Sequence, residues 1–289
     1  MKSRMEQHRA GERGYGERDD HREQHARTIY RSVEPIGSPH YSYAMSRLLR
    51  RGLAPLLGVV ALLASARPAG AQDLFDGPDE PSAHTARYVE VTAGERTELV
   101  AREWRVDGGL LLESTSSAGE RHLVRVDRDL QTLAWRFEAV SPAAEIESVM
   151  DDGTVVVTGT RSGESVHADV PLGDARWIQS IERSLRDFVL TAERGERMRF
   201  EVVQPDTLSA RTLQARALET ESRRVAGRQT EVRHVRISLP GIGALIWRAD
   251  YWFRLPDGLF VESRVTRGPP GTPETVVTLV DDSGRAPRR

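Results

Sequence analysis

Hydrophobic and polar positions alternate with a period of two along most of the chain after residue 87. In residues 121–127, for example, His122, Val124 and Val126 fall on one face and charged residues fall on the other. Successive side chains of a strand point to opposite faces, so this alternation predicts half-buried strands. Turns that contain glycine, such as Asp152-Gly153, separate the runs and are typical of hairpins. The pattern predicts about ten strands.

One segment breaks this period. Between Ala175 and Thr191 the apolar residues recur at three and four positions, and Gly195 follows as a stop signal. The recurring residues are Trp177, Ile178, Ile181, Leu185, Phe188 and Val189. This spacing predicts an amphipathic helix from about Ala175 to Thr191.

Together these elements predict a mainly β fold. Strands joined by sequential hairpins form an antiparallel meander, and about ten strands do not stay in a flat open sheet. We expect a curved antiparallel meander, either a half-barrel or barrel-like, with the one amphipathic helix packed on its inner face.

The segment Met45–Ala71 has the pattern of a secretory signal peptide. Three arginines precede an apolar run from Leu53 to about Ala64, and Ala69-Gly70-Ala71 follows as a small-x-small cleavage site. The apolar run is shorter than the roughly 20 residues that span a bilayer. A cleaved signal predicts a periplasmic or secreted protein with no membrane span after cleavage. A buried helix or an uncleaved anchor is the alternative.

The remaining segments divide the chain further. Residues 1–44 are polar and rich in charge, and such a composition predicts a disordered leader. Translation is predicted to start at Met45, and a genuine cytoplasmic tail is the alternative. Residues 72–86 are predicted to form a flexible linker, residues 87–282 a single β-rich domain, and residues 283–289 a loose tail.

Composition removes several classes of chemistry. Residues 72–289 contain 29 arginines and 36 acidic residues, a formal net charge of −7, which argues against a nucleic-acid partner. The chain has no cysteine, so neither a thiol nucleophile nor a cysteine-bound metal is expected. The one lysine, Lys2, lies in the leader, so no Schiff-base lysine is expected in the domain.

No catalytic, metal or cofactor motif appears in the predicted domain. No Gly-x-Ser-x-Gly elbow occurs, and none of the histidines after residue 71 has a partner at metal-ligand spacing. These histidines are His84, His122, His167 and His234. We therefore predict no catalytic residue, no metal site and no cofactor. A hydrolase whose acidic residues meet only in three dimensions remains an alternative.

Aromatic residues concentrate on one strand near the end of the chain. Leu245, Trp247, Ala249, Tyr251 and Phe253 share one face by the period of two. The candidate lining of an apolar ligand site is Trp177, Trp247, Tyr251 and Phe253. The alternative is an ordinary core that packs against the helix. On the opposite face, Arg248 and Asp250 would either recognise a polar head group or form a surface pair.

Three segments carry a resemblance to a known family. The segments are Ala249-Asp250-Tyr251-Trp252-Phe253, Arg267-Gly268-Pro269-Pro270-Gly271-Thr272-Pro273-Glu274-Thr275 and the helix region Trp177–Phe188. The chain resembles a family of uncharacterised exported bacterial proteins from about Tyr88 to Asp281. That family is distantly similar to the half-barrels of periplasmic lipoprotein carriers. The resemblance implies a role with a hydrophobic ligand and transfers no catalytic residue.

The leading hypothesis from the sequence is an exported protein that binds an apolar or lipid-like ligand in the cell envelope. The first alternative is an envelope structural or protein-interaction module that uses an exposed sheet edge. The second alternative is the hydrolase.

Overall fold

The computed structural model describes residues 74–75, 84–245, 247–266 and 272–282. The predicted leader, signal peptide and tail lie outside the described residues, as does most of the predicted linker. The predicted domain boundaries therefore stay predictions, although the first described strand begins at His84, three residues before the predicted start.

Fifteen strands account for most of the described residues. They are β1 His84–Thr92, β2 Glu95–Val106, β3 Gly109–Ser116, β4 Glu120–Asp127, β5 Thr132–Val140, β6 Ala143–Asp151, β7 Thr154–Arg161, β8 Glu164–Pro171, β9 Arg176–Trp177, β10 Arg197–Gln204, β11 Ser209–Val225, β12 Arg228–Ser238, β13 Arg248–Arg254, β14 Phe260–Thr266 and β15 Glu274–Asp281.

All fifteen strands belong to one sheet. Its spatial order runs from β8 back to β1, continues with β15, and then runs back to β9. Neighbours pair antiparallel except for β9, which runs parallel to β10. Within the described residues β8 and β9 form the two ends of the sheet, so hydrogen bonds do not close it into a barrel. The prediction of a mainly β, curved antiparallel meander is confirmed.

Tight turns explain why the strands form hairpins. At Asp152-Gly153 and Ala226-Gly227 both central residues have positive φ, for example 41° at Asp152 and 78° at Gly153. Such left-handed pairs match the twist of the flanking strands, and glycine takes this conformation without a steric cost.

The helix is shorter than the spacing predicts. It consists of α1, Ile181–Ser184, and α2, Arg186–Thr191, which meet at Leu185. The predicted start at Ala175 is wrong, because Arg176 and Trp177 form β9 and pair with β10. The apolar spacing at Trp177 and Ile178 reflects burial by tertiary contacts. Within the described residues no helix combines the length and the hydropathy that a bilayer span requires.

The helix packs on the inner face of the sheet, as predicted. Ile181, Leu185 and Val189 belong to the same buried cluster as Phe200 and Phe253. A second buried cluster lies under the first half of the sheet and includes Trp135, Phe137, Ile146, Val157 and Trp177.

A β-bulge also lies close to where the pattern predicts one. The apolar phase of β12 shifts at His234, and the sequence predicts the bulge in that strand. The structure places the extra residue on the neighbouring strand, β11, where Leu218 and Glu219 together lie opposite His234.

One buried amide joins β9 to the rest of the sheet. The Gln179 Oε1 atom accepts hydrogen bonds from Trp177 Nε1 at 2.9 Å and from the Val203 backbone N–H at 3.1 Å. Its Nε2 donates to the Val203 carbonyl at 2.9 Å, and its backbone N–H donates to Thr132 Oγ1 at 2.9 Å. Gln179 therefore connects β5, β9 and β10 immediately before the helix.

Gln179→Leu should lower the free energy of unfolding by about 2–4 kcal/mol, because it leaves the Trp177 and Val203 N–H groups buried without an acceptor. Urea denaturation followed by tryptophan fluorescence measures the change. The matched control is Gln229→Leu, since Gln229 is exposed. Equal effects of the two substitutions would refute the proposed connection.

Candidate functional site

A pocket lies on the inner face between α1 and strands β1 to β4, with β14 and β15 completing its wall. Its volume is about 60 Å³. The apolar part of the wall consists of Leu99, Ala101, Leu112, Val124, Phe260 and Val277. Polar groups enter the pocket from the strands and from the segment around α1, namely from Glu113, Ser114, His122, Gln179, Ser180, Glu182 and Arg183. This volume holds several water molecules or the end of an aliphatic chain, and is well below the roughly 300 Å³ of typical drug-sized sites.

Arg183 provides the pocket with a buried cation. Only 8% of the residue is exposed. Its Nη2 atom lies 3.3 Å from His84 Nδ1, whereas its Nη1 atom has no hydrogen-bond partner. The nearest carboxylate oxygen to Nη1 is Glu103 Oε2 at 3.7 Å, which is beyond a good hydrogen bond. A buried donor without an acceptor is costly, so this atom is suited to an acceptor oxygen on a ligand.

The buried Glu103 carboxylate is shared between two arginines. Its Oε1 atom lies 3.7 Å from Arg186 Nη1, in addition to the contact with Arg183. Glu182 also lines the pocket. The charges around α1 thus balance approximately, and the unmatched feature is the Arg183 donor rather than an excess of positive charge.

Tyr88 places a neutral phenol at the pocket wall. Its hydroxyl donates to the Phe260 carbonyl at 3.2 Å. Burial raises the pKa of Tyr88 to about 12, although Arg183 opposes the shift. The phenol therefore stays protonated at physiological pH.

His122 reaches the pocket from β4. The Trp135 indole N–H donates to His122 Nδ1 at 3.3 Å, so the neutral ring carries its proton on Nε2. The sequence analysis assigned this histidine no role, because it has no partner at metal-ligand spacing. Its position on the same face as Val124 and Val126 is the signal that could have placed it inside the sheet.

The four sequence-predicted lining residues do not surround this pocket. Tyr251 and Phe253 are buried in the core around the helix, and Trp247 packs against that core. Trp177 belongs to the other buried cluster. The structure thus brings Trp247, Tyr251 and Phe253 together, separates Trp177 from them, and lines the pocket with other residues. No ligand tests the predicted lining, and it stays a prediction.

A charged and aromatic cluster covers the other face of β12 and β13. His234 Nε2 lies 2.7 Å from Asp250 Oδ1, and Arg236 Nε donates to the same oxygen at 2.9 Å. The His234 ring stacks on Trp252 with 4.7 Å between centroids. Asp250 thus binds His234 and Arg236, and the pair that the sequence suggested between Arg248 and Asp250 does not form.

A histidine paired with an aspartate, such as His234 with Asp250, also occurs in catalytic triads. In a catalytic triad the second ring nitrogen faces a nucleophile. Here His234 Nδ1 lies 3.6 Å from Glu219 Oε1, so both ring nitrogens face carboxylates. The arrangement holds His234 between two carboxylates and stabilises the contact between neighbouring strands.

A larger depression, of about 680 Å³, lies where the β11–β12 and β13–β14 turns meet the end of β15. Arg254 donates to Asp257 at 2.7 Å and to Asp282 at 2.5 Å. These hydrogen bonds raise the pKa of Arg254. Because Arg254 is already paired with two carboxylates, we consider this depression a weaker ligand site than the inner pocket.

Comparisons with known proteins add likenesses of fold. No protein-family model and no curated protein matches the chain. A β-barrel-like protein of a domain of unknown function (DUF1849) from Brucella abortus aligns with a TM-score of 0.49 and 13% identity, over 69% of this chain and 96% of that chain.

Two lipoprotein structures align as well. The hypothetical lipoprotein YmcC from Escherichia coli gives a TM-score of 0.37 and 13% identity, over 74% of this chain and 89% of that chain. A putative lipoprotein from Parabacteroides distasonis gives 0.30 and 7%, over 70% and 96%. At these values the three structures carry no argument about function, and the resemblance drawn from the three sequence motifs stays a prediction.

The outer cluster predicts an acid-sensitive contribution to stability. Burial raises the pKa of Asp250, but hydrogen bonds from His234 and Arg236 outweigh it and hold the pKa below the usual value. A lowered folded-state pKa stabilises the protein above the unfolded value of about 3.9, and the contribution is lost as the pH falls through the lower folded value.

Asp250→Asn should therefore lower the free energy of unfolding at pH 5 by about 1–2 kcal/mol, allowing for the partial exposure of Asp250. The difference from wild type should shrink as the pH falls below about 4. Urea titrations at several pH values measure it, with the exposed Asp174→Asn as control. A difference that stays constant down to pH 2 would contradict the assignment.

Proposed function

We propose that the protein is an exported binding protein that holds one end of an amphipathic molecule in the inner pocket. Apolar walls take the aliphatic part, and Arg183 binds an acceptor oxygen, best supplied by a carboxylate or another anionic head. The observation that carries the proposal is the buried Arg183 Nη1 donor, which lacks a hydrogen-bond acceptor and belongs to a residue lining this pocket.

The size of the pocket sets the kind of ligand. About 60 Å³ does not enclose a whole lipid, because the helix and its core already fill most of the inner face. Only the end of the molecule enters, and the rest lies outside the pocket. This geometry is consistent with an ordinary core for Tyr251 and Phe253, with the binding function placed beside α1.

Export rests on the sequence. The segment Met45–Ala71 has the order of a signal peptide, and a protein released after cleavage would meet amphipathic envelope molecules. Periplasmic or secreted localisation is therefore part of the proposal. N-terminal sequencing of protein from its own host should find Gln72 as the first residue.

The binding proposal predicts selectivity for an acidic head. Wild-type protein should bind decanoate at least tenfold more tightly than decan-1-ol, since a buried charge-assisted hydrogen bond contributes about 1.5–3 kcal/mol. Arg183→Gln should abolish this preference. Ala101→Trp, which fills the apolar part, should weaken binding of both ligands. Isothermal titration calorimetry measures all three.

The matched control is Arg199→Gln, which removes an exposed arginine from β10 and should leave the preference intact. Thermal denaturation verifies that each variant folds. The proposal fails if wild-type protein binds neither ligand, or if Arg183→Gln keeps the preference for decanoate.

A free strand edge favours a second candidate function, the binding of an extended peptide. Among the described strands β8 pairs only with β7. The Leu172 N–H donates to the Gly153 carbonyl at 3.0 Å. By the period of two, the N–H groups of residues 165, 167 and 169 point away from β7, where a peptide strand could add.

Asp169→Pro should abolish such binding, because it removes an outward N–H donor without breaking the ladder to β7. Asp169→Ala keeps the N–H and should bind as wild type does. Crosslinking in an envelope extract identifies a partner, whose purified peptide is then titrated against both variants. Equal binding by the two variants would exclude the edge as the site.

A further inference from the structure

The connection between β12 and β13 is an apolar loop that does not line the inner pocket and packs only partly against the core. Residues 239–247 read Leu-Pro-Gly-Ile-Gly-Ala-Leu-Ile-Trp and contain no charged or hydrogen-bonding side chain other than the indole of Trp247. A short 3₁₀ helix, Gly241–Leu245, forms its tip. Loops at a protein surface usually carry polar residues, so this composition requires an explanation.

Two aliphatic side chains project from the tip into solvent. Ile242 is 80% exposed and Leu245 is 91% exposed, and these are the highest values among the large hydrophobic residues of the described chain. Side chains three positions apart eclipse each other in a 3₁₀ helix. Ile242 and Leu245 therefore point in the same direction and form one apolar projection.

The base of the loop is fixed while its tip is exposed. Leu239 and Trp247 pack against the core around the helix, and the Trp247 backbone N–H donates to the Gly243 carbonyl at 3.1 Å. A side chain at Gly243 would meet Leu239, since an added Cβ would lie 2.7 Å from the Leu239 Cβ. The sequence thus maintains a tight loop that holds two aliphatic side chains away from the protein.

A cation lies next to this projection. Arg248 follows Trp247, is exposed, and forms no hydrogen bond or ion pair with the described residues. The carboxylate on its own strand, Asp250, is bound to His234 and Arg236. Two exposed aliphatic side chains therefore form the tip, and an exposed guanidinium lies at the base beside the indole of Trp247, which packs against the core.

We infer that this loop inserts into the surface of a lipid bilayer that contains anionic head groups. Ile242 and Leu245 enter the acyl region and Arg248 contacts lipid phosphates, while Trp247 anchors the base of the loop in the core. A protein interface normally surrounds its apolar centre with polar groups, and the loop has no polar side chain around Ile242 and Leu245. A fluid acyl layer needs no such groups and can accommodate the two aliphatic side chains directly.

The predicted attachment is reversible. Two inserted side chains and one arginine amount to far less than a membrane span, and the loop leaves the inner pocket unobstructed. The inference does not depend on the proposed binding function, since no residue of the loop lines the pocket.

Sedimentation with phosphatidylethanolamine–phosphatidylglycerol vesicles tests the inference, with pure phosphatidylcholine vesicles as the uncharged comparison. The double variant Ile242→Ser/Leu245→Ser should bind about a hundredfold more weakly, because it removes both aliphatic side chains. Arg248→Gln should bind about fivefold more weakly to the anionic vesicles and unchanged to the uncharged ones.

The matched control is Val140→Ser, at the end of β5, because Val140 is 75% exposed and lies outside the loop. It should bind as wild type does. All of these positions are exposed, so the variants should keep the wild-type thermal midpoint and the wild-type binding of decanoate.

Three results would overturn the inference. Wild-type protein could fail to sediment with either vesicle, or the double variant could sediment as wild type does. Size-exclusion chromatography could also show a dimer that the double variant dissociates, in which case a second copy of the chain covers the loop.

Discussion

The amide of Gln179 satisfies the one polar junction on which the arrangement of this fold depends. The sheet winds through eight strands, and the chain must then return to its other end to begin the second half. The Gln179 side chain forms hydrogen bonds with Trp177 and Val203, and its backbone N–H donates to Thr132 Oγ1. These bonds hold β9 and β10 beside the first half of the sheet. A buried hydrogen-bond network of this kind favours one arrangement, because a displacement would leave polar atoms unpaired in an apolar core.

The same junction determines what space remains inside the sheet. With β9 fixed, the helix begins at Ile181 and its apolar residues fill the inner face around Phe200 and Phe253. A pocket stays open beside the first turn of the helix, and Arg183 lies there because it belongs to that turn. The pocket is therefore small and mixed in character, which favours one end of an amphipathic molecule over a whole lipid.

Several charged residues of the described chain form local ion pairs with residues of opposite charge. Asp250 binds both His234 and Arg236 on the outer face, and Arg254 binds Asp257 and Asp282 at one rim. Arg183 Nη1 is buried without a hydrogen-bond acceptor beside the apolar pocket, and the exposed guanidinium of Arg248 lies beside the apolar loop. These are the two places where we propose that the protein meets amphipathic molecules.

The sequence was sufficient to predict the class of the fold, the hairpin turns and the apolar stripe of the helix, because these follow from local periodicity and from turn residues such as Asp152-Gly153. It did not determine the start of the helix, since Trp177 and Ile178 fit a helical spacing but are buried by contacts with a distant strand. It also predicted a ligand lining of Trp177, Trp247, Tyr251 and Phe253, which stays a prediction, whereas other residues line the inner pocket. The set of buried groups that meet follows from the three-dimensional fold, because the contacts of Arg183 and His122 join residues on different elements that the sequence pattern does not connect.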